Sequence, residues 1–130
     1  MVTVYKACRV VGDTHRSCAL GPLSMAGTSY PLGETVVPPK GFGPPLVFGT
    51  PEQAKIWGPL LAYGYAIVVL ECEAQRVKRA TTLAAGLSDS EILAFWTKGY
   101  RVYTGRAPKG SLWAYGLVPR RVVWRTKEVT

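Results

Sequence analysis

The sequence contains no asparagine, and only Gln53 and Gln75 carry side-chain amides. Scarcity of thermolabile amides marks proteins that work hot, so a thermophilic origin, in a microbe or in its virus or phage, is expected. Acid is scarce too. Eight Asp and Glu stand against sixteen Lys and Arg, a formal net charge of +8. His15 is the only histidine, and Cys8, Cys18 and Cys72 form no CxxC pair. That set argues against a zinc site and against a disulfide framework. Buried reduced thiols are expected, with a Cys8–Cys18 bridge as the alternative. No metal and no cofactor is expected. No Walker-type loop is present, and Gly41-Phe42-Gly43-Pro44-Pro45 departs from the dinucleotide fingerprint because prolines stand where a helix would begin. The longest apolar run, Leu60 to Leu70, is too short to span a bilayer. The opening MVTVYKACRV lacks the charged start and apolar run of a signal peptide. A cytoplasmic protein without a membrane role is expected, in the host cell if the chain is viral.

What is present points to a folded unit. The chain has 130 residues, 48% of them apolar, with seven Tyr and four Trp. One domain with its own core fits that length. Fourteen Gly and ten Pro favour many turns and short strands over a helical bundle. The expected fold is α+β: one domain over residues 1–130, a twisted and mainly antiparallel sheet of about five or six strands, and two short helices.

Val2 to Val11 alternates like a strand. Gly12 to His15 reads as a turn, 16–29 as loop, and Glu34 to Val37 as a short strand. Prolines then forbid regular structure up to Pro45. Leu46 to Gly49 is a short apolar strand. Thr50-Pro51-Glu52-Gln53 is a strong helix start, with Thr50 as cap, Pro51 at the first helical position and Gln53 placed to close a capping box. Ala54, Ile56, Trp57, Leu60 and Leu61 follow at helical spacing, although Pro59 would kink or end that helix. Tyr65 to Leu70 is nearly all apolar and suits a strand buried on both faces. Its exit, Glu71-Cys72-Glu73, puts both carboxylates on one face. A loop is expected from Arg76 to Gly86. Ser88-Asp89-Ser90-Glu91 opens a second helix, closed by Gly99. Tyr100 to Tyr103 reads as a strand and Thr104 to Gly110 as a basic loop. Ser111 to Tyr115 and Leu117 to Arg125 read as two strands about Gly116, with Arg121, Val123 and Arg125 opposite Val122 and Trp124.

Charge is unevenly placed. Residues 1–75 hold five Lys/Arg and five Asp/Glu, whereas residues 76–130 hold eleven and three. The whole excess therefore lies in the second part, interleaved with Trp96, Tyr100, Tyr103, Trp113, Tyr115 and Trp124. Cations neutralise phosphates and aromatic faces stack on bases. The candidate binding residues are Arg101, Arg106, Lys109, Arg120, Arg121 and Arg125. Against this stands the reading in which the tryptophans are core and the cations only solubilise. Glu71 and Glu73 are candidates for general acid–base work, or else an exposed strand end paired with Arg76 or Lys78. His15 beside Asp13 is either a catalytic pair or an exposed turn.

Four stretches together resemble small ADP-ribosyltransferase-like domains and short phage and viral proteins of similar layout. They are the opening Val4-Tyr5-Lys6, the step Leu46-Val47-Phe48-Gly49-Thr50 with Ala54, the strand Ile67 to Glu73, and Leu117-Val118-Pro119-Arg120-Arg121-Val122-Val123. The resemblance implies an Arg or His on the first strand, a Ser or Thr on the second and a Glu on a late strand, which hold NAD and stabilise the departing nicotinamide. Arg9 and Thr50 would take the first two roles. Ser111 to Tyr115 contains no acid, so Glu71 or Glu73, which stand earlier in the chain, would have to take the third.

The leading expectation is a small basic binding protein that engages nucleic acid, a nucleotide or a host protein through its C-terminal cationic, aromatic surface. The alternatives are an NAD-dependent ADP-ribosyltransferase-like enzyme using Arg9, Thr50 and Glu71 or Glu73, and a virion or assembly protein. A homo-oligomer is compatible with each.

Overall fold

The structure is a computed structural model that describes residues 1–18, 28–38, 44–61, 64–80, 82–83, 105–106 and 109–126. Among these described residues, nine strands and one helix follow in the order β1 (Val2–Val11), β2 (Thr14–Ser17), β3 (Leu46–Phe48), α1 (Pro51–Leu61), β4 (Ile67–Ala74), β5 (Arg76–Arg79), β6 (Thr82–Leu83), β7 (Gly105–Arg106), β8 (Ser111–Tyr115) and β9 (Val118–Arg125). Seven strands make one sheet in which every pair is antiparallel, and β6 pairs with β7 apart from it. The α+β architecture expected from sequence is thus present, with seven strands instead of five or six and one helix among the described residues. The second expected helix, from Ser88 to Gly99, and the strand at Tyr100–Tyr103 lie outside the described residues.

The sheet returns on itself. β1 pairs with β4 on one side and with β3 on the other, and β3 pairs with β8. β8 then runs through Gly116 into β9, which pairs back onto β4. One register runs unbroken from Cys72–Pro119 to Arg79–Leu112, so β4–β5 and β8–β9 are two long strands of a single coiled ribbon. Gln75 N–H donates to Tyr115 O at 2.9 Å across the junction. Gly116 sits there at φ +63°, and a Cβ would come within 2.7 Å of Gln75, so the bend needs glycine.

Closure separates an inner from an outer apolar set. Val4 and Cys8 of β1, Val47 of β3, Val68, Leu70, Cys72 and Ala74 of β4, and Ala114 of β8 pack in one cluster, with Tyr30, Val36 and Leu117. β1, β3, β4 and β8 contribute to it and Val122 of β9 packs against it, so it is the interior of a small barrel. The second cluster is outside: Ala7, Phe48, Ile67 and Val69 lie under Ala54 and Trp57 of the helix. Gly58 lets α1 come close, since a Cβ there would stand 3.0 Å from both Ala7 and Ile67. Ile56, expected on the buried stripe, is instead 60% exposed. Ala54, Trp57 and Gly58 keep the helical three- and four-residue spacing and Ile56 falls off it. The helix continues through Pro59 to Leu61.

Lys6 shares the inward parity of Val4 and Cys8 and is buried. Its Nζ donates to Leu46 O at 2.8 Å and lies 5.3 Å from the centre of the Tyr30 ring. A carbonyl and an aromatic face therefore compensate the buried cation. Cys8, Cys18 and Cys72 are all free and buried, so the Cys8–Cys18 bridge is not formed. Burial pushes the Cys18 thiol up to about 11 and the Cys72 thiol up to about 12. Cys8 is raised well above the usual thiol range for the same reason. Thiols held protonated are poor nucleophiles.

Three further expectations are corrected. Residues 14–17 form β2 instead of turn and loop, because the Gly12-Asp13 turn folds them back on β1. Glu34–Val37 is not a strand. Its Val36 N–H donates to Leu117 O at 2.8 Å without a strand ladder forming. Arg76–Arg79 is strand β5, and Thr82–Leu83 and Gly105–Arg106 form a small ladder where loops were expected.

Candidate functional site

The carboxylate pair and the arginine pair meet. Glu71 and Glu73 share the outer face of β4, as the two-residue period requires. β9 passes alongside with register slips between Glu71 and Cys72 and between Val69 and Leu70. At the first slip Cys72 faces Pro119 while Glu71 faces Arg121, so Arg120 is the extra residue of a bulge. A bulge puts two successive side chains on one face. Arg120 thus reaches Glu73 at 3.0 Å and Arg121 reaches Glu71 at 2.6 Å. The Arg121 hydrogen bond, with a further one from Tyr5, holds the Glu71 carboxyl below its usual range. The second slip makes Val123 the extra residue, which is why Val123 and Trp124 both pack on the outer cluster. The strict alternation expected along Leu117–Arg125 is therefore interrupted twice.

The candidate cations are not one patch. Arg120 and Arg121 are engaged by acid. Arg125 stands across from Val68 at the far end of β9 and is exposed. It lies near His15, whose imidazole pKa is lowered first by burial and then by the Arg125 charge. Lys109 is exposed at the turn before β8, and Gln53 Nε2 donates to its carbonyl at 2.9 Å. Arg106 lies in β7, away from the main sheet pairing. Arg101 lies outside the described residues.

The enzyme candidates are dispersed. Arg9 pairs at Ile67, four residues along β4 from Glu71 and six from Glu73, a separation of roughly 13–20 Å along the strand. Arg9 is 1% exposed, with Nε donating to Ser17 O at 2.8 Å. The Thr50 hydroxyl is used at the helix start, where it accepts from Gln53 N–H at 3.4 Å and donates to Gln53 Oε1 at 3.2 Å. His15 and Asp13 line a cleft of about 310 Å³ with Thr14, Ser29, Tyr30, Pro31 and Leu32. Among the described residues, no cluster of His, Cys, Asp and Glu is arranged to hold a metal. No helix among them is long and apolar enough to cross a membrane.

A second cationic surface was missed in the sequence. Val77 of β5 and Leu112 and Ala114 of β8 pack inward, which sends Arg76, Lys78, Trp113 and Tyr115 outward. Arg76 pairs with Tyr115 and Lys78 with Trp113. The Arg76 guanidinium stacks over the Tyr115 ring at 4.2 Å. Arg76, Lys78 and Arg79 are exposed and the two aromatics half-buried. Neither strand carries an acid, and among the described residues no carboxylate pairs with these cations. The alternation Arg76-Val77-Lys78 was the available signal for a strand with a cationic face.

No family model, characterised protein or solved structure matches the chain.

Proposed function

We propose that the protein binds single-stranded nucleic acid on the outer face of the β5–β8 ribbon. The observation that carries this reading is the pair of cross-strand couples Arg76–Tyr115 and Lys78–Trp113, cationic and aromatic together, on strands with no acid. Cations along a strand neutralise phosphates, and aromatic faces accept bases with little regard to sequence. Exposed Arg79 at the end of β5 and exposed Lys109 in the turn before β8 add to the positive charge of this region. Arg120 and Arg121 contribute little, because Glu73 and Glu71 cancel them locally.

The test is a titration of a labelled oligothymidylate, followed by anisotropy over a range of salt. Log affinity falls linearly with log salt, with a slope of about −0.7 per phosphate neutralised on a single strand. Binding that is absent at low salt, or indifferent to salt, overturns the reading.

A further inference from the structure

Tyr115 belongs to two features at once. Its ring carries the Arg76 guanidinium. It also lines a cavity of about 280 Å³, with Val36, Pro38, Pro44, Pro45, Ala114 and Gly116. None of these side chains is charged. The cavity lies where the ribbon bends at Gly116. Pro38, Pro44 and Pro45 each have φ fixed by their rings, and Pro45 O accepts from Ala114 N–H at 3.0 Å, tying Pro45 to β8.

We propose that this cavity is a nucleobase slot: one unpaired base of a bound strand enters it against Tyr115 while the adjoining phosphates lie along Arg76 and Lys78. The inference rests on the nucleic-acid reading above and adds what that surface selects. The volume is at the low end for ligand pockets, which suits one ring system. Among the described residues that line the slot, none offers a cation to a phosphate. Arg76 stands across from Tyr115 on the facing strand and Lys78 two residues further along it, so charge outside and an apolar space inside match the two halves of a nucleotide. A base in a duplex would have to leave its stack to enter, at a cost of a few kcal/mol, whereas a base in a single strand is already close to free. The slot therefore favours single strands over duplex.

The experiment compares three labelled probes of equal length at one salt concentration: an oligothymidylate, the same backbone with every base replaced by an abasic unit, and the oligothymidylate annealed to its complement. The abasic strand keeps the phosphates and loses the bases. We expect it to bind about tenfold or more weakly than the oligothymidylate, with the duplex also weaker. Tyr115→Ala removes the ring, and Pro44→Trp obstructs the slot from a loop position outside the sheet. Each variant should bring the oligothymidylate and abasic affinities together. Equal binding of the two strands to the unmodified protein overturns the slot and leaves the electrostatic reading standing. No binding of any probe at low salt overturns both. A base preference that survives in both variants also overturns the slot.

Discussion

The outer faces of β9 and β5 carry the same kind of residue in different company. On β9, Arg120 and Arg121 lie against Glu73 and Glu71. On β5, Arg76 and Lys78 lie against Tyr115 and Trp113. Four cations thus divide into two that are cancelled at contact distance and two that project their charge beside an aromatic surface. The sequence places all four in the basic part of the chain, and counting charge treats them alike. The difference comes from one bulge, which sets Arg121 beside Arg120 on the face where both carboxylates stand.

The comparison is broken most directly by reversing charge on each face. Arg76→Glu with Lys78→Glu should weaken oligothymidylate binding on the order of 100-fold at low salt and flatten its salt slope. Arg120→Ala with Arg121→Ala should change affinity only a few-fold, because those cations already have counter-charges. Equal losses from the two double variants would remove the distinction. A gain of function sharpens the point. Glu71→Gln with Glu73→Gln releases both arginines, so affinity should rise roughly threefold to tenfold and the salt slope should steepen by about 1.4. The readout in each case is an anisotropy titration at several salt concentrations.

Much of the scaffold was legible because single residues decide it. The alternation of Val2–Val11 marks β1, Thr50-Pro51 starts α1 at the expected position, and the apolar run into Glu71-Cys72-Glu73 gives a strand buried on both faces. That both glutamates share a face followed from the period alone. What was hidden depends on partners far away in the chain. The capping-box reading of Gln53 is half right: its N–H meets Thr50, but its side-chain amide goes to Lys109 O, 56 residues on. The slip at Arg120 is a property of two strands, and nothing local to Pro119-Arg120-Arg121 announces it. Arg76–Arg79 passed for a loop because four residues with three cations look solvated. It is strand because Gln75 continues the β4 register against Tyr115. The dispersal of Arg9, Thr50 and Glu71 is likewise a matter of register.

Arg125 gives a third case on β9, a cation that faces an imidazole instead of a carboxylate or a ring. His15 has its pKa lowered from 6.5, first by burial and then by Arg125. A histidine that binds its proton less readily when folded penalises the folded state once pH drops below the ordinary value, since the unfolded chain then holds more protons. Stability should therefore fall on acidification below pH ~6.5. His15→Gln should remove part of that fall in thermal melts taken from pH 7 to pH 5. Arg125→Ala should remove a smaller part, because burial is the larger cause.

The smallest effect concerns the Glu71–Arg121 pair itself. The hydrogen bond from Arg121 depresses the Glu71 pKa, so the folded state holds this carboxyl ionised where the unfolded chain would protonate it. The pair's contribution to stability is then complete above the ordinary glutamate range and is lost as pH falls through the lowered value. Both side chains are partly exposed, and solvent and salt weaken the attraction. The melting temperatures of the native chain and of Glu71→Gln should differ slightly at neutral pH and converge only below the usual carboxylate range. The nucleic-acid affinity of the same variant should exceed that of the native chain across the neutral range, and that gap should close over the same acidic window. If stability and affinity converge at different pH values, the charge that β9 lacks for binding is not the charge that Glu71 holds.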